Sequence, residues 1–238
     1  MRGLLSSLLD NDSRFGRAMT RLGIIIGANL MFVLFSMPVV TIGAGITALY
    51  HVMFKTLRGD GELNPFKEFW AGFKSNFRQS TIAWIVILAL ALIGNIDLQI
   101  CRQAGGVVGM LRYPIYAMGV VLLILALYLF PAIAAFEDTL PHLIRDGFFF
   151  AMRKPWKVPV IVFFDVFPLI LTYTDQQMLP LYAFLWTLCG FGLLGMLGAS
   201  LLLPEYKPFL PAVDVCGDPI PEEASEEELL EDMRKLGM

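Results

Sequence analysis

The chain has 238 residues, 57% of them hydrophobic and only 16% charged, with a mean hydropathy of +0.66. That composition is too apolar for an ordinary soluble domain and excludes one. The formal net charge of −3 hides an asymmetry, because 10 of the 21 acids lie from Glu205 onward and the body before them is slightly basic.

In chain order, residues 1–21 form a cytoplasmic, basic lead with Arg2, Arg14, Arg17 and Arg21. Asp10 and Asp12 interrupt it and no long apolar run develops, so no signal peptide is expected. A transmembrane region follows over 22–203. Its spans are predicted at about 22–37, 42–58, 81–100, 114–136, 158–173 and 179–203, where apolar runs approach or exceed the length of a crossing helix. Pro38 breaks or kinks the first span, and Thr41 to Gly45, TIGAG, supplies turn residues. The first two spans therefore read as a tight hairpin. Its second limb is re-entrant if Ile46 to Leu57 fails to cross. Gly59 to Gly61 make a turn.

The stretch from Asn64 to Ser80, NPFKEFWAGFKSNFRQS, comes next. Phe66, Phe69, Trp70, Phe73 and Phe77 recur at the spacing of one helix face. Lys67, Lys74 and Arg78 fall largely off that face. Asn64 suits the N-cap and Pro65 the first helical position. A basic helix with an aromatic face reads as a membrane-surface anchor or as a docking element for a partner. Beyond it, Arg102 and Arg112 flank a short loop, and Thr139 to Lys157 is polar and basic around Phe148 to Phe150. Pro168 interrupts the fifth span. Residues 204–238 form an acidic cytoplasmic tail. In it Ser225 and Glu228 fit a capping box, and Leu229, Leu230, Met233 and Leu236 fit a short amphipathic face.

Charge sets the expected topology. With both termini inside, the N-terminal lead, the segment Lys55 to Arg78, the segment Arg145 to Lys157 and the tail carry 16 of the 18 Lys and Arg. The excess of basic residues on cytoplasmic loops then favours six spans with N and C cytoplasmic. The fold class expected is an all-α polytopic membrane bundle with a cytosolic-face aromatic helix.

Several strings in the first half carry a resemblance. They are Asn29 in span one, Pro38-Val39-Val40-Thr41-Ile42-Gly43, Thr47-Ala48-Leu49-Tyr50, and the run from Phe73 to Thr81, FKSNFRQST. Together they resemble the YesL-like family of small bacterial membrane proteins, over roughly residues 10 to 200 and excluding the tail. The resemblance implies an accessory component of carbohydrate uptake in Gram-positive bacteria, beside sugar ABC importers, and no catalytic residues.

Chemistry-bearing patterns are few. Gly43-Ala44-Gly45-Ile46-Thr47-Ala48 matches a loose dinucleotide fingerprint, but that motif needs a βαβ unit, and here a turn with close helix packing is expected instead. Asp165 is the one acid placed well inside a span, and intramembrane acids usually face a partner or a wet cavity. It lies about 12 Å from the inner end of span five and His51 about 10 Å from that of span two, at 1.5 Å per residue. Asp165 reads as snorkelling or capping a break made by Pro168; the sharper reading is that it meets His51 and shares a hydrogen bond. Gly192, Gly195 and Gly198 put small residues along span six, for an interface with another subunit or for packing within the chain. Candidates for partner contact on the aromatic helix are Phe66, Phe69, Trp70, Phe73, Lys74, Asn76 and Phe77. Cys101, Cys189 and Cys216 lack metal spacing or a disulfide framework, and His51 and His142 are not at zincin spacing. There is no Walker A motif and no nucleophile elbow. No cofactor, metal or nucleic acid is expected.

The function expected is a non-catalytic accessory subunit in the bacterial plasma membrane, contacting lipid and the permease or ATPase subunits of a carbohydrate ABC importer. The alternatives are a stand-alone small transporter or channel, and a membrane partner of a sensor kinase. Few polar groups are available to line a path, and sugars need many hydrogen-bonding groups.

Overall fold

The computed structural model of the protein describes residues 14–59, 63–104, 106–136 and 138–210. Among these there is no strand. The helices are α1 (Arg14–Phe35), α2 (Ile42–Arg58), α3 (Pro65–Ala104), α4 (Gly106–Met110), α5 (Arg112–Ala135), α6 (Leu140–Arg153), α7 (Lys157–Thr174), α8 (Leu179–Leu185) and α9 (Phe191–Tyr206). A π-helical turn, Trp186–Gly190, joins α8 to α9. Among the described residues, six stretches are long and apolar enough to cross a membrane: Phe15–Phe35, Val39–Arg58, Pro65–Ala104, Val108–Ala135, Lys157–Thr174 and Gln176–Phe209. The protein is a helical, polytopic membrane bundle. The tail pattern from Ser225 to Leu236, together with Cys216, lies outside the described residues.

The first hairpin turns earlier than its glycines suggest. α1 ends at Phe35, and Thr41 closes the turn by donating its Oγ1 to Phe35 O (2.6 Å) and Pro38 O (2.8 Å). TIGAG is therefore not the turn, since Gly43 and Gly45 already lie inside α2. What they supply is close approach. A Cβ on Gly43 would sit 2.5 Å from Trp84 Cβ and 2.7 Å from Ser80 O. α2 ends at Gly59, whose φ of +85° is the left-handed C-cap that glycine adopts without a Cβ penalty.

The aromatic stretch is not a separate helix. Asn64 caps it as expected, its Oδ1 accepting from Phe66 N (3.1 Å) and Lys67 N (3.4 Å). The helix then runs without interruption through the third span to Ala104, 40 residues in all. That is about 60 Å, roughly twice the hydrocarbon thickness of a bilayer. The boundary expected at Ser80 rested on hydropathy, which marks a change of solvent and not the end of a helix. No glycine or proline stands between Gly72 and Gly94 to end it.

α2 runs antiparallel along the first half of α3. Gly43 lies beside Ser80, His51 against Gly72, and Lys55 Nζ bonds Glu68 Oε2 at 2.8 Å. Trp84 Nε1 donates to Val39 O (2.7 Å) at the closed end of the α1–α2 hairpin. Past Trp84, α3 leaves the hairpin behind and pairs with α5, where Ile115 faces Gly94 and Arg102 Nη2 meets Tyr116 OH at 3.0 Å. This two-helix arm exposes Ile85, Val86, Leu90, Leu92, Ile93, Ile96 and Ile100 from α3, and Tyr113, Met118, Val120 and Val121 from α5.

Neither Pro168 nor Pro204 ends its helix. α7 continues through Pro168, and α9 continues through Pro204 to Tyr206. The core lies where α1, α2 and α9 meet, around Ala28, Phe32, Ala48, Leu49, Val52, Met53, Ala199, Leu202 and Tyr206.

Candidate functional site

The last span is held by one side chain from the first. Asn29 is fully buried in α1. Its Nδ2 donates to Trp186 O (3.0 Å) and Thr187 O (2.7 Å), and its Oδ1 accepts from Gly192 N (2.8 Å). The π turn widens the helix there, and Asn29 satisfies the backbone groups around that change of register. In an apolar interior such groups need a partner. Gly192 makes the approach possible, because a Cβ on it would lie 2.8 Å from Ile25 O.

The same packing corrects the reading of the glycine row as a subunit interface. Gly192, Gly195 and Gly198 are all buried inside this chain. A Cβ on Gly195 would press on Leu49 at 3.2 Å, and one on Gly198 would collide with the Tyr50 hydroxyl. The row is consumed by α1 and α2, so it offers no surface to another subunit.

The aromatic face of α3 divides in two. Phe69 and Phe73 are buried, with ring centroids 6.1 Å and 5.1 Å from Phe35. They hold α3 to α1 and are removed from the set of partner contacts. Phe66, Trp70 and Phe77 remain exposed, as do Lys67, Lys74 and Arg78. Asn76 is half-buried and donates to Gly72 O (3.3 Å) and Ser75 Oγ (3.1 Å) of its own helix.

His51 and Asp165 are not joined. His51 Nε2 lies 3.8 Å from Glu68 Oε2, the carboxylate that also binds Lys55, so the imidazole faces α3.

A buried ion pair is the functional-type feature that sequence reasoning missed. Lys157 Nζ lies 2.7 Å from Glu205 Oε1, both side chains almost wholly buried. The aligned hydrogen bond of the ammonium goes to Leu201 O at 2.6 Å. Glu205 Oε2 and Tyr128 OH are buried without a hydrogen-bond partner among the described residues. Tyr206 OH reaches Tyr128 O at 3.4 Å. By hydropathy Glu205 falls in the tail and Lys157 in a basic loop. The signal was the uninterrupted apolar run up to Leu203 in which Pro204 need not end the helix. Asp165 is consequently not the one acid inside the helical body.

The polar segment after span four is also more ordered than its composition suggests. Within it α6 buries Leu143, Gly147, Phe150 and Ala151 and turns Ile144, Arg145, Phe148, Phe149, Met152 and Arg153 outward. Phe150 packs on Phe136, Tyr206 and Phe209, with centroids 4.6–5.9 Å apart. Just before α6, the Thr139 N–H and then His142, 3.1 Å away, hold the Asp138 carboxyl below the usual carboxylate range. Gln79 Nε2 donates to Asp138 O (2.8 Å) and ties this start to α3.

Among the described residues no group of three or more His, Cys, Asp or Glu is placed to hold a metal ion. The arrangement does structural work: polar side chains in the interior join helices, and basic aromatic faces are left outside on α3 and α6. The class so defined is a polytopic α-helical membrane protein with internally committed polar groups. Within it, residues 25–98, from α1 into the arm, match the model of a family described as protein of unknown function, DUF624. The chain is also similar to the uncharacterized protein YteU of Bacillus subtilis (strain 168), at 28% identity over 108 residues, 45% of this chain and 49% of that protein. The aligned part thus spans about half of each. No solved structure matches. The stretch matched by the family model contains Asn29, which ties α1 to the last span, and Gly43, Thr47, Ser80 and Trp84, which fix α3 to α2 and to the turn before it.

Proposed function

We propose that the protein is a non-catalytic accessory subunit that assembles, within a bacterial plasma membrane and with both termini cytoplasmic, beside the permease and ATPase subunits of a carbohydrate ABC importer. The observation that carries an assembly role is the arm. The second half of α3 and the first half of α5 expose apolar side chains along about 30 Å of helix, with the short α4 packed at their joined end. Two helices packed only on each other gain little in lipid, where helix association rests on packing and not on the hydrophobic effect. Further transmembrane helices against the arm supply that packing. The exposed Phe66, Trp70, Lys74 and Phe77 of α3 supply a basic aromatic contact for a subunit at the membrane surface.

A solo transport role has less support. Asn29, Ser80 with Thr47, His51 with Glu68, and Lys157 with Glu205 bond inside the chain and line no described polar channel. The importer as partner rests on the YesL-like resemblance of the strings Pro38 to Gly43 and Phe73 to Thr81. Purification of the tagged full chain from native membranes, with identification of the bound chains, tests the reading. Permease and ATPase subunits of a sugar importer are expected. Their absence, or sugar flux through the chain alone in liposomes, would overturn it. Recovery of a sensor kinase instead would assign the arm to that partner.

A further inference from the structure

Where α1 meets α9, a cavity of about 400 Å³ opens to the outside. Its lining is Arg17, Ala18, Arg21, Leu22 and Ile25 of α1 and Met196 of α9. Arg17 and Arg21 are one helical turn apart and both exposed, so their guanidinium groups stand on one side of α1. None of the ion pairs among the described residues engages them. The remaining lining is hydrocarbon, running from Leu22 towards Met196. The cavity is thus cationic at one edge and apolar along its floor.

We propose that this cavity binds one anionic phospholipid, its phosphate held by Arg17 and Arg21 and the start of an acyl chain laid against Leu22, Ile25 and Met196. Guanidinium groups match phosphate oxygens in a two-pronged geometry, and basic pockets between membrane helices select acidic head groups. The apolar floor separates this ligand from a free phosphate ion, which would leave Leu22 and Met196 uncovered. The site is independent of any partner subunit and adds a lipid requirement to the N-terminal end of the bundle.

Native mass spectrometry of the full chain in detergent, titrated with phosphatidylglycerol or phosphatidylcholine of identical acyl chains, tests the site. Phosphatidylglycerol is expected to be retained preferentially, and the R17Q/R21Q variant to lose about 25-fold in that preference, two factors of about five. Both arginines are exposed, so the variant keeps the packing of α1, and an unchanged melting profile verifies this. Met196→Phe, which fills the floor and leaves the charges, is expected to weaken retention as well. Equal retention of the two lipids by the wild type, or an undiminished preference in R17Q/R21Q, overturns the proposal. Displacement of the lipid by glycerol phosphate, which lacks acyl chains, would assign a phosphate-ion site instead and also overturns it. A preference that emerges only after removal of residues 211–238 would make the acidic tail the native occupant, with the same consequence.

Discussion

Asn29 serves three backbone groups with one side chain: two carbonyls of the π turn and the N–H of Gly192. Asn29→Ala removes all three contacts while α1 keeps its helical preference. Interhelical hydrogen bonds in membranes are worth modest amounts, so a loss of about 1–2 kcal/mol is expected, read as a lower unfolding midpoint in detergent. Lys157 and Glu205 behave differently because both are charged. Lys157→Met leaves a buried carboxylate without its cation and is expected to cost about 3–5 kcal/mol, whereas Lys157→Met combined with Glu205→Leu is expected to recover most of the loss. A double variant no more stable than the single one would show that the pair is not coupled. At Asp138 the sign of the pH effect follows from its lowered pKa. The folded state favours the carboxylate, so the stabilisation is present above the ordinary carboxylate value of about 3.9 and is lost as the pH falls through the lower folded one. An isotope-labelled Asp138 carboxyl resonance is expected to titrate below the ordinary value, and His142→Ala to raise its midpoint.

At the scale of elements, α3 is the organising piece. Its first half is fixed to α1 and α2 by Phe69, Phe73, Glu68 and Ser80, and its second half leaves them for α5. The two halves answer to separate tests. Leu92→Ala, Ile96→Ala and Ile100→Ala together alter exposed positions of the arm alone. The triple variant is expected to keep the yield and melting behaviour of the wild type and to lose most of the bound importer subunits on purification. Retained partners with these three side chains removed would place the contact elsewhere. α6 belongs to the same scale. Its inward residues were hidden in a stretch rich in charge and proline, and the helix face emerges only when Leu143, Gly147, Phe150 and Ala151 are seen to meet α5 and α9.

At the scale of the molecule, the membrane bundle and the approximate positions of its spans were legible because lipid imposes a long apolar run on any helix it surrounds. Asn64 and Pro65 announced the start of α3, and Gly59 the end of α2, since caps are local chemistry. The aromatic face was legible as a face, but nothing in its spacing told Phe69 and Phe73, which are buried, from Phe66 and Trp70, which stay half-exposed. The Lys157–Glu205 pair joins residues 48 positions apart, and hydropathy assigned each separately to a loop and to the tail. Solvent preference and local capping are properties of short stretches, and the chain determined them alone: which segments are helical, which prefer lipid, and, where a cap is present as at Asn64 and Gly59, where a helix starts or stops. Which side of each helix meets which neighbour depends on rotations of about 100° per residue between elements distant in the chain. That decided the partner of His51, the burial of the glycine row and the separation of the arm, and only the tertiary structure contains it.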